Sequence, residues 1–285
     1  MEVLLKSSLD LPFVHRGKVR DTYEIENDLL IISTDRISAF DSVFAEGIPK
    51  KGEVLSRISA FWFKRTGHII ENHFITDRMP PNLATLQGRA MIVKRATVIP
   101  IEAVVRGYLT GSGWKEYKEN GTVSGIKLPP GLKNGSRLPS PMFTPTTKAE
   151  QGHDLSITLD EARKMFGEKE IAYIGEKAIM LYQFAHDYLL EKGMVLADTK
   201  FEFGKIGDKI ILIDEMVTPD SSRYWLKKEY DEGVLASMDK QFLRDYLEKS
   251  GWDKEPPAPK LPEEIVKKTS ERYTDAYEMV TGEKI

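Results

Sequence analysis

Residues 19–25 and 29–33 are apolar or alternating, and Glu26-Asn27-Asp28 between them supplies turn chemistry, so the pattern predicts a hairpin. Residues 53–63 carry Val54, Leu55, Ile58, Phe61 and Trp62 at helical spacing. Residues 91–94 and 98–105 read as strands, broken by Pro100. From 111 to 152 the periodicity stops and Gly, Pro, Ser, Thr, Asn and Lys take over, which reads as a long functional loop. A capping box of Thr158 and Glu161 opens a helix over 162–166. A longer helix follows over 168–192, with Ala178, Leu181, Tyr182, Ala185 and Leu189 on one face, and Gly193 stops it. A second hairpin occupies 195–203 and 209–214 and turns at Ile206-Gly207-Asp208. A short helix capped by Asp239, a proline-rich spacer at 256–259, and a last helix from Pro262 to Gly282 complete the chain. This order predicts an α+β protein, with a β-rich N-terminal lobe over 1–97 and a mixed lobe over 98–285.

Composition narrows the function. A chain of 285 residues is long enough for about two domains and a real core. The 41 basic and 44 acidic residues leave a net charge of −3, so no global field exists to hold nucleic acid. The absence of cysteine excludes disulfides, cysteine-bound zinc and thiol catalysis. The N-terminus lacks a basic stretch followed by a long apolar one, and no apolar run could span a bilayer. The expectation is a cytoplasmic enzyme with neither nucleic-acid nor membrane partners.

Local chemistry is concentrated in a few segments. A turn centred on Asp208 would set Glu202 opposite Asp214 on one side of the second hairpin. At about 5 Å and an effective dielectric of about 20, their repulsion is on the order of 3 kcal/mol. A hard cation such as magnesium would remove it. On this reading Glu202→Gln and Asp214→Asn abolish turnover while stability holds or rises, and Glu215, next in sequence, points away. In Arg16-Gly17-Lys18-Val19-Arg20, alternation puts Lys18 and Arg20 on one strand face, suited to a polyphosphate. Arg106 ends a buried-looking strand that runs into Gly111-Ser112-Gly113, and Arg223 follows the hydroxyl-rich Thr218-Pro219-Asp220-Ser221-Ser222. Both segments suit an anion. His153-Asp154 is an acid–base candidate.

Six segments in this order resemble the phosphoribosylaminoimidazole-succinocarboxamide (SAICAR) synthetase family nearly end to end. They are Gly17-Lys18-Val19-Arg20-Asp21-Thr22-Tyr23, Ser33-Thr34-Asp35-Arg36-Ile37-Ser38-Ala39-Phe40-Asp41, Val104-Val105-Arg106-Gly107, Gly111-Ser112-Gly113, Asp198-Thr199-Lys200-Phe201-Glu202-Phe203-Gly204, and Asp214-Glu215 through Ser222-Arg223-Tyr224-Trp225. The resemblance implies a nucleotide cleft between two lobes, distantly like kinases and ATP-grasp enzymes. It implies an ATP- and Mg²⁺-dependent ligase joining the carboxylate of carboxyaminoimidazole ribonucleotide (CAIR) to the amine of L-aspartate. Carried over by position, Lys18, Arg20 and Glu102 would bind nucleotide, and Glu202 and Asp214 metal, with Lys200 nearby in a catalytic role. Arg106, Ser112 and Arg223 would take the ribonucleotide phosphate, and Ser38 and Asp41 would line the substrate pocket. Asp154 is the candidate base for the amine, on a 144–154 loop that would close over the substrates. The resemblance leaves room for a homo-oligomer. A kinase-like phosphotransferase using the same clamp is the alternative, disfavoured because no His-Arg-Asp or Asp-Phe-Gly motif appears.

Overall fold

The computed structural model describes residues 3–148 and 155–285. Its first sheet begins with β1 (Phe13–Arg16), β2 (Arg20–Ile25) and β3 (Asp28–Ser33). A separate hairpin follows, β4 (Arg36–Ala39) and β5 (Ser42–Gly47), and then helix α1 (Lys51–Thr66). β6 (Phe74–Thr76) and β7 (Ala90–Val93) return to the first sheet, which is antiparallel in the order β1-β2-β3-β7-β6. Ile25 faces Asp28 across the β2–β3 turn, as the pattern predicts.

β8 (Thr97–Tyr108) starts the second sheet. It runs unbroken through Pro100, because its pairing with the neighbouring strand shifts between Glu202 and Gly204, and such an irregularity tolerates a residue without an N–H. The 111–152 segment is not one loop. It holds helix α2 (Gly111–Asn120), the small hairpin β9 (Thr122–Val123) and β10 (Ile126–Lys127), and strand β11 (Arg137–Thr147). β11 carries Pro139, Pro141 and Pro145 yet pairs with β8, because it is an edge strand and needs donors on one side only. Those prolines hid it from periodicity.

Helices α3 (Leu159–Phe166) and α4 (Glu168–Glu191) follow, α3 with both halves of its capping box made. Next come β12 (Met194–Ile206), β13 (Lys209–Ile213), β14 (Ser222–Leu226), and helices α5 (Lys227–Asp231), α6 (Gln241–Lys249) and α7 (Glu263–Thr281). The second sheet runs β11-β8-β12-β13, with β14 paired to the first half of β12. The fold is α+β. The apolar stripe of α4, including Ile174, Ala178, Leu181 and Leu189, packs on Ala103, Val105, Leu196 and Phe201 of the second sheet. The same core takes in Val54, Ile58 and Trp62 of α1, so it runs on beneath the first sheet. Gly107 permits the closest approach: a Cβ there would lie 1.9 Å from the Tyr182 hydroxyl, which donates to the Leu196 carbonyl at 2.6 Å. Among the described residues no helix is long and apolar enough to cross a membrane.

Candidate active site

A cleft of about 830 Å³ opens between the β1–β2 turn and the second sheet. β8 contributes Glu102, Val104 and Arg106, and β12 contributes Asp198, Lys200 and Glu202. Each set is spaced by two, so each lines one sheet face. Register then fixes the pairs: Asp198 lies opposite Arg106, Lys200 opposite Val104, and Glu202 opposite Glu102.

The second hairpin turns between Gly207 and Asp208, with Ile206 facing Lys209, so Glu202 faces Ile213 and not Asp214. The predicted register is one residue off. The like-charged cross-strand pair is Glu102 and Glu202 instead. Asp214 lies just past β13 with φ 71°, and its carboxylate nonetheless reaches the same point. The Lys200 ammonium sits 2.6 Å from Glu202, 3.2 Å from Asp214 and 3.7 Å from Glu102. Lys148 adds a second ion pair to Glu202. Burial disfavours the Lys200 charge, but Glu202, Asp214 and Glu102 outweigh it and hold its pKa well above the ordinary lysine value. The pair is therefore neutralised by lysine, and removing either carboxylate would take a partner from that ammonium.

Arg20, on β2 of the first sheet, closes the same cluster. Its guanidinium meets Asp214 at 2.6 Å and Glu215 at 2.9 Å. Glu215 therefore faces the cleft, contrary to strict alternation, because the chain has left the strand and the Thr218 hydroxyl donates to its other oxygen. Lys18 is not on a strand face with Arg20. It sits in the turn between β1 and β2, where the Gly17 N–H bonds the Arg20 carbonyl, and it pairs with Asp41. Lys18, Arg20 and Ser38 all line the cleft.

At the other end, Arg106 donates to Thr144 at 3.1 Å, to Asp198 at 3.1 Å and to the Ser112 hydroxyl at 3.0 Å. Arg223 also pairs with Asp198. Ser112 lies in the first turn of α2, so backbone N–H groups and a helix N-terminus add to two guanidinium groups. This end is suited to a phosphate monoester. Asp198, which holds both arginines in place, was missed by sequence reasoning, although its spacing of two from Lys200 placed it on the site face. Lys240 and Arg244 also line the cleft and were missed. Their spacing of four at the start of α6 was the available signal. His153 and Asp154 lie outside the described residues.

The chain matches the family model for SAICAR synthetase over residues 13–259. It is 49% identical to the phosphoribosylaminoimidazole-succinocarboxamide synthase of Thermodesulfovibrio yellowstonii, covering 98% of this chain and 99% of that one. It is 48% identical to the synthase of the same name from Pasteurella multocida, covering 96% and 99%. Among solved structures, the SAICAR synthase of Saccharomyces cerevisiae complexed with SAICAR superposes with a TM-score of 0.88 at 42% identity, covering 99% of each chain. A type-2 SAICAR synthetase in complex with ADP gives 0.72 at 30% identity, covering 95% and 98%.

Proposed function

The chain belongs to the SAICAR synthetase family, and we propose from that premise how its cleft divides the work. The activity is an ATP-dependent ligation: the CAIR carboxylate and the L-aspartate amine form an amide, giving SAICAR, ADP and phosphate in purine biosynthesis. A carboxylate is a poor electrophile. Transfer of the ATP γ-phosphoryl group to its oxygen releases ADP and makes an acyl phosphate. The amine then attacks the carbonyl carbon, phosphate leaves, and the amine gives up a proton. The protein's part is mostly positioning and charge neutralisation.

The observation that carries this reading is the cleft's polarity: carboxylates bridged by cations at one end, a two-arginine phosphate pocket at the other. Lys18 and Arg20 hold the ATP phosphates, with Glu102 at the nucleotide. Arg106, Ser112 and Arg223 take the ribonucleotide phosphate, and Ser38 with Asp41 lies on the substrate side. Lys200, at the carboxylate end, neutralises charge on the transferring group.

Magnesium fits this donor set. Glu202 and Asp214 offer hard oxygens to the same point, and no group of three or more His, Cys, Asp or Glu ready for a metal occurs among the described residues. Two carboxylates completed by phosphates and water are the ordinary environment of Mg²⁺. When bound, it would offset the negative charge of the phosphates. The setting that goes with this chemistry is the cytoplasm, with small molecules as partners. The test is phosphate release by the purified chain with ATP, Mg²⁺, CAIR and L-aspartate. Release should require all four, and release indifferent to aspartate would overturn the ligase reading.

A further inference from the structure

Arg36, the first residue of β4, does not line the cleft and is buried behind the β1–β2 turn. Its guanidinium bonds mostly main chain. The Nε group donates to the Lys18 carbonyl at 3.0 Å, and one terminal nitrogen donates to the Gly17 carbonyl at 3.0 Å. That nitrogen also meets Asp21 at 2.8 Å, and the other terminal nitrogen donates to the Leu5 carbonyl at 2.6 Å. Asp21 is itself fixed, accepting from the Ser7 N–H at 2.9 Å, the Ser7 hydroxyl at 2.6 Å and Arg16 at 3.0 Å. The planar fork of an arginine is therefore held on one side by a buried carboxylate and holds two successive carbonyls on the other.

Those two carbonyls decide where two N–H groups point. In a trans peptide the N–H is directed opposite to the C=O of the same plane. The Gly17 carbonyl shares its plane with the Lys18 N–H, and the Lys18 carbonyl shares its plane with the Val19 N–H. With both carbonyls drawn back to Arg36, both N–H groups turn away from it, toward the cleft that Gly17, Lys18 and Val19 line. Neither N–H has a hydrogen-bond partner among the described residues. Successive N–H groups presented on one side make a concavity for an anion. Gly17 is free enough in its dihedrals to let the first of these planes rotate, so the orientation needs an outside support. The next carbonyl, that of Val19, is held separately by the Thr34 hydroxyl at 2.7 Å and the Thr34 N–H at 3.0 Å. The strand that carries Arg36 has its own anchor, since Ile37 and Ala39 pack with Leu243, Leu247 and Leu261 in a separate core.

We propose that Arg36 is a positioning residue for the nucleotide: by holding the Gly17 and Lys18 carbonyls it aims the Lys18 and Val19 N–H groups at the ATP phosphates. The proposal rests on the reading that Lys18 meets those phosphates. Steady-state phosphate release by the full chain, with each substrate varied in turn, tests it. Wild type must first show release that depends on aspartate, and failure there sinks the ligase reading and the proposal with it. Lys18→Met should then raise the KM for ATP several-fold, and an unchanged value overturns the proposal at its premise. Arg36→Lys keeps the charge beside Asp21 but loses the fork that spans two carbonyls. It should raise the KM for ATP at least tenfold, while the KM values for CAIR and L-aspartate stay within twofold, because the packing of Ile37 and Ala39 is untouched. An arginine that only supports the fold would lower kcat with the folded fraction and leave all three KM values unchanged, and that result overturns the proposal. If Arg36→Lys fails to fold, wild type labelled with ¹⁵N-lysine and ¹⁵N-valine decides it. The Lys18 and Val19 amide protons should both move downfield on adding Mg-ADP, as N–H groups do on bonding phosphate, and their failure to do so overturns it.

Discussion

Glu102 and Glu202 stand directly opposite one another on adjacent antiparallel strands, and the ammonium of Lys200 lies within 3.7 Å of both. Like charges in that relation repel, so the lysine is part of what makes the pairing tolerable. Removing it by Lys200→Met leaves Glu102, Glu202 and Asp214 short of a shared cation. We expect loss of turnover by at least a hundredfold and a stability loss of about 3 kcal/mol, the usual cost of stranding one side of a buried pair. Phosphate release and urea unfolding measure the two; wild-type stability would mean that the carboxylates are solvated rather than bridged.

Glu202→Gln and Asp214→Asn test the other side of the same cluster. Each should abolish turnover and weaken Mg-ATP binding. Each also removes a partner of Lys200, and Asp214→Asn removes one from Arg20. Stability should therefore fall, by roughly 1–3 kcal/mol because other partners remain. A rise in melting temperature would restore the repulsion argument drawn from the sequence.

The difference between those two arguments shows what could be read from sequence. The resemblance set Lys200 near Glu202, and the two do meet at 2.6 Å, while α4 followed from its apolar stripe. A register, however, depends on where a turn puts its two central residues, and a one-residue slip exchanges every partner. Past Ile213 alternation no longer applies, which is why the orientations of Asp214 and Glu215 were not legible. β11 was hidden for another reason: three prolines are admissible only on an edge, and edges are properties of the assembled sheet. Lys51, Asp220 and Tyr273 meet from three distant segments, and no local pattern joins them.

Gly111 has φ 57°, and a Cβ there would lie 2.3 Å from an Arg223 terminal nitrogen. Gly111→Ala must displace that guanidinium and accept a left-handed backbone, at a cost of about 1 kcal/mol for the backbone alone. The expected result is a KM for CAIR raised about tenfold or more, with the KM for ATP little changed. Equal effects on both constants would mean a general distortion of the cleft.

Asp198→Asn removes the carboxylate shared by Arg106 and Arg223. Two guanidinium groups would then face each other without compensation. The phosphate of CAIR could supply the missing charge, so the variant should be destabilised when free and regain much of its melting temperature on adding CAIR. At one fixed concentration of CAIR the stabilising increment should exceed that of wild type, and a smaller one would contradict the charge-sharing role.

Two buried groups contribute to the acid dependence of stability. His73 packs against Phe63, and burial lowers its pKa from 6.5 to about 4, with Asp214 opposing and Arg20 assisting. Between those values the unfolded chain carries the extra proton, so stability rises with pH there and is lost as pH falls from 6.5 toward 4. The gap corresponds to roughly 3 kcal/mol. Asp21 loses its contribution in a lower window. Burial alone would raise its pKa, but hydrogen bonds from Ser7, Arg16 and Arg36 bring it down from 3.8 to about 2. Its contribution, roughly 2 kcal/mol, is full above the unfolded value and disappears as pH falls through about 2. Urea unfolding between pH 7.5 and 2.5 should therefore show two stages. His73→Gln should flatten the upper stage and leave the lower one, and Asp21→Asn should do the reverse. If His73→Gln keeps the full slope between pH 6.5 and 4, then a different group carries the upper stage and His73 is protonated in the folded chain.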